Sequence, residues 1–204
     1  MSFYSEHIVP RCTDFMLSRE PILKLRERVV QGMSGEVLEI GFGSGLNVPY
    51  YPEAVTRVYA VEPSSIARKL AEARVQHSRV PIVWSGLDGQ RLELPDASID
   101  AALTTFTLCT IPDVAAALRE LRRVIKPGGM LHFLEHGRSP DSSVAKWQDR
   151  LTPLQKRLAA GCHLNRNTAD LLRAAGFCLD SLDNYYLPGP RVATYISEGR
   201  ARRC

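Results

Sequence analysis

The sequence predicts an α/β fold, a mostly parallel sheet with helices on both faces. Two observations carry that expectation. From residue 36 to residue 136, short apolar runs alternate with helical stretches that have their own start and stop signals, the pattern of a parallel sheet covered on both sides. The first run, Val37, Leu38 and Ile40, leads straight into a turn with glycines at 41, 43 and 45. A glycine turn after a buried strand lets backbone reach contact distance of a ligand, because no Cβ intervenes.

The 204 residues suit one domain with a sizeable core. It divides into a helical arm or lid (1–31), a ligand-binding core (36–136) and a last third of helices and a terminal hairpin (137–204). Hydrophobic residues make up 45% and charged residues 24%, ordinary values for a globular protein. The net charge of +4 is mild and partly terminal, in Arg200, Arg202 and Arg203, so no nucleic-acid partner is expected. No stretch approaches the roughly 18 apolar residues of a membrane span, and the start carries no secretory signal. The five cysteines (12, 109, 162, 178 and 204) are odd in number and show no close pairing. That argues against a disulfide framework or zinc site and for a reducing cytoplasm. Cys109 and Cys178 read as small buried hydrophobes.

Residues 3 to 31 read as mostly helical, broken at Pro10 and Pro21, with Pro21 opening a helix from Ile22 to Val30. The earlier part carries Phe3, Tyr4, His7, Phe15 and Met16. It either packs on the core or folds over the open end of the sheet and helps close a pocket. After the glycine turn, Pro49 and Pro52 keep the next helical stretch short. Arg57 to Val61 is a second strand, ending on Glu62-Pro63. Glu62 lies 21 residues after Gly41, placed to accept hydrogen bonds from ribose hydroxyls.

Ser64 caps a helix to about His77, with Ile66, Leu70, Ala73 and Gln76 toward its inner side. A short third strand covers 81–84, and the loop Ser85 to Gly89 follows. The block Leu94 to Asp100 opens a fourth strand, Ile99 to Thr105. A helix from about Val114 to Val124 ends at Lys126-Pro127-Gly128-Gly129, which feeds a fifth strand, Met130 to Leu134. A helix near Val144 to Ala160 puts Val144, Trp147, Leu151, Leu154 and Leu158 on one face, read as a core face rather than a membrane anchor. A loop (161–166) and a short helix (Thr168 to Ala175) precede a hairpin of Phe177 to Tyr186 and Arg191 to Ser197 around Pro188-Gly189-Pro190. Ligands of such sheets lie outside the carboxyl ends of the strands. So Gly41 to Asn47, Glu62, Leu87 to Gly89, Thr105 to Leu108 and Glu135-His136 are expected on one rim.

The glycine spacing narrows the ligand. A dinucleotide fingerprint wants G-x-G-x-x-G; here the third glycine comes one residue early, and Glu39 sits two residues before the first. An acidic strand end followed by G-x-G-x-G resembles the first motif of the class I S-adenosylmethionine-dependent methyltransferases. Glu62-Pro63, the block 94–100 and Arg123 to Gly129 look like the ubiquinone and menaquinone biosynthesis type. Within that superfamily, Phe133 to His136, Trp147, Gly161-Cys162-x-Leu-x-Arg166 and Leu108-Cys109 are similar to the methyltransferase-like thiol S-methyltransferases. The resemblance implies a Rossmann-like fold, a seven-stranded sheet in the order 3-2-1-4-5-7-6, with S-adenosyl-L-methionine across strands 1, 2 and 4. The chain departs from the animal members in lacking their hydrophobic membrane anchor at the start, and Phe42 replaces a smaller residue between the first two glycines.

What the resemblance implies for the site is specific. The backbone of Gly41, Gly43 and Gly45 and the side chain of Thr105 hold the methionine end. Glu62 holds the ribose, and Leu87 with Asp88 the adenine ring and its amino group. Glu39, Asn47, Pro63 and Leu108 complete the set; from the arm's own residues, Tyr4 and His7 are expected to face the donor and Phe15 and Met16 the acceptor side. The expected product of the donor is S-adenosyl-L-homocysteine. His136, after the fifth strand, is the candidate general base, with a structural histidine bonded to a backbone carbonyl as the alternative. His163 is a weaker candidate, His132 reads as structural, and no metal is expected. The acceptor is expected to be small and lipophilic, a thiol first. Methylation of oxygen, carbon or nitrogen on a phenol, quinol or lipid amine stays open, as does donor binding without turnover. The glycine spacing disfavours a nicotinamide oxidoreductase. Peripheral membrane contact and oligomeric state are left open.

Overall fold

The computed structural model describes residues 4–204, so Phe3, expected in the arm, lies outside the described residues. Five strands run parallel: β1 (Gly35–Ile40), β2 (Val55–Val61), β3 (Ile82–Trp84), β4 (Ile99–Thr105) and β5 (Ile125–His136). β6 (Phe177–Tyr186) pairs antiparallel with β7 (Tyr195–Arg203), which itself lies antiparallel to β5. The sheet order is β3-β2-β1-β4-β5-β7-β6, as expected. Buried side chains form two clusters, one holding Leu38, Ile99, Leu118 and Phe133, the other Val37, Val58, Leu103 and Leu134. Sequence neighbours such as Val37 and Leu38 part company because successive strand side chains point to opposite faces. Both faces are therefore dry, as a parallel sheet requires.

The helices are α1 (Val9–Leu17), α2 (Glu20–Val29), α3 (Ser65–Gln76), α4 (Val114–Val124), α5 (Ser142–Leu158), α6 (Thr168–Ala174) and α7 (Arg191–Thr194). Ser64 caps α3 by accepting from the Ala67 N–H at 3.2 Å, and Asp113 caps α4 from Ala116 at 2.9 Å. Among the described residues, no helix is long and apolar enough to cross a membrane.

Several boundaries and faces differ from the expectations. Pro10 does not break the arm. It lies in the first turn of α1, where its missing N–H is no loss, and a π-helical turn, Tyr4–Ile8, precedes it. The break falls at Ser18-Arg19 instead. On α3 the buried residues are Ala67 and Ala71, while Ala73 and Gln76 are exposed. Small residues let that helix lie close to the sheet. The Lys126 to Gly129 turn is absorbed into β5 as an irregularity between the Ile99↔Ile125 and Ala101↔Met130 pairs.

The expected core stripe of α5 is also corrected. Its buried residues are Val144, Ala145, Gln148 and Thr152, while Trp147 and Leu154 are each 54% exposed. Gln148 turns inward because its amide is fully used: it accepts from Ser139 N–H and donates to the carbonyls of Gly137 and Val192. In the hairpin, residues 191–194 form α7, so the last strand starts at Tyr195 and carries all three terminal arginines. Finally, Cys178 is exposed and joined to Cys204 in a disulfide across the edge of the sheet. The two strands place them side by side at opposite ends of the hairpin sequence, a pairing that linear spacing hides. Cys109 is buried, as expected.

Candidate active site

β1 ends at Ile40 and the chain turns through Gly41, Gly43 and Gly45 with positive φ at each. At Gly41 a Cβ would lie 2.1 Å from Thr107 Oγ1, so nothing larger fits between the ends of β1 and β4. Gly43 differs: its φ is +58° and a Cβ there meets nothing nearer than the Gly41 carbonyl at 3.8 Å. The turn is therefore anchored at its base and open at its tip, the shape of a cradle for a ligand. Phe42 is directed away, edge-on to Trp84 at 5.2 Å between centroids.

Glu62, after β2, reaches back over this turn. Its two carboxylate oxygens accept from the N–H groups of Gly43 at 2.8 Å and Ser64 at 2.7 Å. Burial raises its pKa, and those two N–H groups pull against the rise. The loop after β3 comes to the same rim, since a Cβ at Gly89 would touch Ile40 Cγ2 at 2.6 Å. Next to it Leu87 is exposed, and Asp88 accepts from the Gln90 backbone and amide. Pro63 is exposed beside Glu62.

Under the turn lies a buried polar network. Asn47 donates to Glu39 at 2.6 Å and to Thr105 at 3.0 Å, and Tyr51 donates to the other Glu39 oxygen. Arg26 of α2 donates to Asn47 Oδ1 and to Thr105 Oγ1, both at 2.9 Å. Burial pushes Glu39 up to about 7 and Arg26 down to about 10. Among the described residues, Arg26 Nε has no hydrogen-bond partner. Glu39, Asn47 and Thr105 are thus assembled with two residues that sequence reasoning missed, Arg26 and Tyr51. Arg26 sits on α2 with no local signal of its role, and only the docking of α2 under the turn brings it in.

The arm crosses the glycine turn. Asp14 of α1 accepts from Ser44 Oγ at 2.5 Å and from Arg74 at 3.1 Å, while Arg74 also donates to the Ser44 carbonyl. Tyr4 donates to the Leu158 carbonyl at 3.0 Å, bridging the arm to the end of α5. Phe15 and Met16, expected beside the acceptor, are 63% and 58% exposed, with Arg19 stacked on Phe15.

On the far side of β4, Glu135 is fully buried and accepts from the N–H groups of Thr107 and Leu108. Burial pushes it up to about 7 against those bonds. His136 follows, with Nδ1 3.9 Å from Cys162 Sγ, and its buried Nε2 has no partner among the described residues. Cys162 Sγ in turn lies 3.6 Å from Cys109 Sγ. The Cys109 contact and His136 lower the pKa of Cys162, while the same sulfur contact and burial raise Cys109. Cys162 was missed as a neighbour of His136, because 26 residues of chain separate them. His132 is structural as expected, bonded to the Val29 carbonyl, and His163 bonds the Cys109 carbonyl. A separate cleft of ≈ 540 Å³, lined by Arg138, Ser139, Asn167, Asn184 and Ser197 among others, holds none of the expected site residues. The convergence of side chains, not the size of that cleft, marks the site.

Residues 38–133 match the family model described as a methyltransferase domain. Thiol S-methyltransferase TMT1B of Homo sapiens is 34% identical over 83% of this chain and 72% of its own length. The same protein of Rattus norvegicus is 35% identical over 72% of this chain, which spans 63% of its length. Among solved structures, a SAM-dependent methyltransferase from Aquifex aeolicus superposes with a TM-score of 0.64 at 20% identity, covering 96% of this chain and 98% of that one.

Proposed function

The chain belongs to the class I S-adenosylmethionine-dependent methyltransferases, in the family that includes the thiol S-methyltransferases, and on that footing we propose that it methylates a small lipophilic thiol. The observation that carries the reading is the meeting of Leu108, Cys109 and His136 at the ends of β4 and β5, beside the glycine turn. A buried imidazole nitrogen without a partner is a proton acceptor held ready where an acceptor thiol would bind.

The residues present fit the donor. The open tip at Gly43 leaves room for its methionine portion, and Arg26 Nε keeps a buried donor to spare near that end. In this reading Arg26, Asn47 and Thr105 hold the amino-acid end, with Glu39 fixing Asn47. Glu62 exchanges its bonds to Gly43 and Ser64 for bonds to the two ribose hydroxyls. Leu87 and Pro63 cover the adenine ring, and Asp88 accepts from its amino group. Tyr4 and Asp14 hold the arm across the donor. Leu108 fills the wall between donor and acceptor.

The donor supplies an already activated methyl group on a sulfonium. The protein therefore needs to align the nucleophile at roughly 3 to 3.5 Å and keep water out. The thiol proton passes to His136 Nε2. The sulfur then forms the new carbon–sulfur bond as the old one breaks, its electron pair leaving with S-adenosyl-L-homocysteine. A thiol with pKa about 8.5 is already partly ionised near neutrality, so a single imidazole suffices; a phenol near 10 needs more.

A cytoplasmic location without nucleic-acid partners belongs to the same proposal. It rests on the three free thiols and the mild charge, and the Cys178–Cys204 disulfide weighs against it. The test is a screen of thiols, phenols, quinols and amines with labelled donor. Thioether products support the reading, and exclusive ether or amine products overturn it.

A further inference from the structure

His136 is 7% exposed, yet it makes no ordinary hydrogen bond. Nε2 has no partner, and Nδ1 faces only the Cys162 sulfur at 3.9 Å. A buried polar group left this way is costly unless something else binds it. Its neighbours are two sulfurs 3.6 Å apart, and donor atoms of Cys109, His136 and Cys162 all lie within 4.8 Å of one another. A tetrahedral zinc ion with ~2.3 Å bonds to sulfur and ~2.05 Å to nitrogen holds two sulfurs about 3.8 Å apart and sulfur and nitrogen about 3.6 Å apart. Two of the cluster's separations, 3.6 Å between the sulfurs and 3.9 Å from the Cys162 sulfur to Nδ1, are already close to these.

The cluster is also held from behind. His163 donates its backbone N–H to the Cys109 carbonyl at 2.8 Å and bonds the same oxygen through Nδ1. Arg166 donates to the carbonyls of Leu108 and Ile111. Gly161 approaches the Thr110 carbonyl so closely that a Cβ would lie 3.1 Å from it. The loops carrying the two thiols are thus zipped together by bonds that do not involve the thiols themselves. The thiols' other bonds are weak ones, Cys109 Sγ to the Phe106 carbonyl at 3.8 Å and Cys162 to the Gln155 side chain, and a cation would replace them with the sulfurs and the imidazole as its donor set.

We propose that Cys109, Cys162 and His136 form a binding site for one zinc-class divalent cation, with a fourth position left to water or a small ligand. Two thiolates and an imidazole suit zinc over magnesium or calcium, which take oxygen donors. Both sulfurs bind as thiolates, and any thiol proton still held goes to solvent. Binding also ties up Nδ1, so Nε2 must carry the ring proton. An imidazole in that state accepts no proton from a substrate, and the bound cation therefore suppresses methyl transfer. This last consequence rests on the proposed thiol chemistry; the binding site itself does not.

The test uses the full-length chain, reduced and stripped of metal, with Cys12→Ser to remove the exposed free thiol. Titration with Co²⁺ in the absence of any acceptor should give one equivalent per chain, with a thiolate-to-cobalt charge-transfer band and tetrahedral d–d bands that Zn²⁺ erases. Cys109→Ser and Cys162→Ala should each weaken the binding by at least roughly a hundredfold, more than changes outside the ligand set cost. Both variants are read only after calorimetry shows parental donor affinity, which certifies the fold. No uptake by the reduced parent overturns the proposal, as does uptake that survives in both variants. So does recovery of Cys109 and Cys162 as a mutual disulfide in protein that takes up no cation once reduced. Zn²⁺ that binds but leaves thioether formation unchanged overturns the inhibitory consequence alone.

Discussion

Asp14, on the helical arm, accepts a hydrogen bond from Ser44, in the glycine turn, at 2.5 Å, and Arg74 shares the same carboxylate. One contact thus ties the arm to the glycine turn that is proposed to cradle the donor, so arm position and turn geometry are coupled. Asp14→Ala removes a part-buried charged bond worth about 1 kcal/mol. With the arm acting as the proposed lid, which excludes water and holds the reactants together, the substitution should lower turnover more than donor affinity. Deleting residues 4–16 with the preceding three should exaggerate the same split. Retained turnover per folded molecule with a lower melting temperature would reduce the arm to packing.

Glu62→Ala should weaken S-adenosylmethionine binding by about 1.5 to 3 kcal/mol, the usual worth of hydrogen bonds to a charged group, or roughly ten- to hundredfold in Kd. Glu62→Gln keeps one acceptor oxygen and should fall between. Calorimetry on the folded variants decides, and unchanged affinity in both removes Glu62 from the donor site.

Glu135 carries a pH prediction for stability. Burial raises its pKa from 4.5 to about 7 in the folded chain, so the folded state holds that proton more tightly than the unfolded state. The stabilisation is complete below about 4.5 and is lost as pH rises through about 7. Glu39 shares that shift, so melting temperature should fall between pH 5 and pH 8, and Glu135→Gln should remove part of that fall. A slope of the opposite sign, or one unchanged by the substitution, contradicts the assignment.

The fold was legible because its signals are local. The strand–glycine turn, the Ser64 cap, and the limits of β4 and α4 depend on residues within a few positions of one another. The order of the sheet came from the resemblance, not from periodicity. What escaped was set by tertiary contact. Gln148 reads as a polar surface residue until its three partners are seen, so the apparent core face of α5 was rotated toward Trp147 and Leu154. Arg26 joins Asn47 and Thr105 only through the docking of α2. Cys178 meets Cys204, and Cys162 meets Cys109 and His136, across segments that no spacing rule connects.

The most direct measurement is a single turnover with methyl-labelled S-adenosylmethionine and a lipophilic alkanethiol, run on the parent and on Gly43→Val. The parent should yield one labelled thioether per S-adenosyl-L-homocysteine formed. The variant fills the open tip of the turn with a branched side chain at positive φ, so it should stay folded, bind no donor and form no thioether. A parent that makes no thioether from any thiol, or a valine variant that binds the donor normally, would contradict the account.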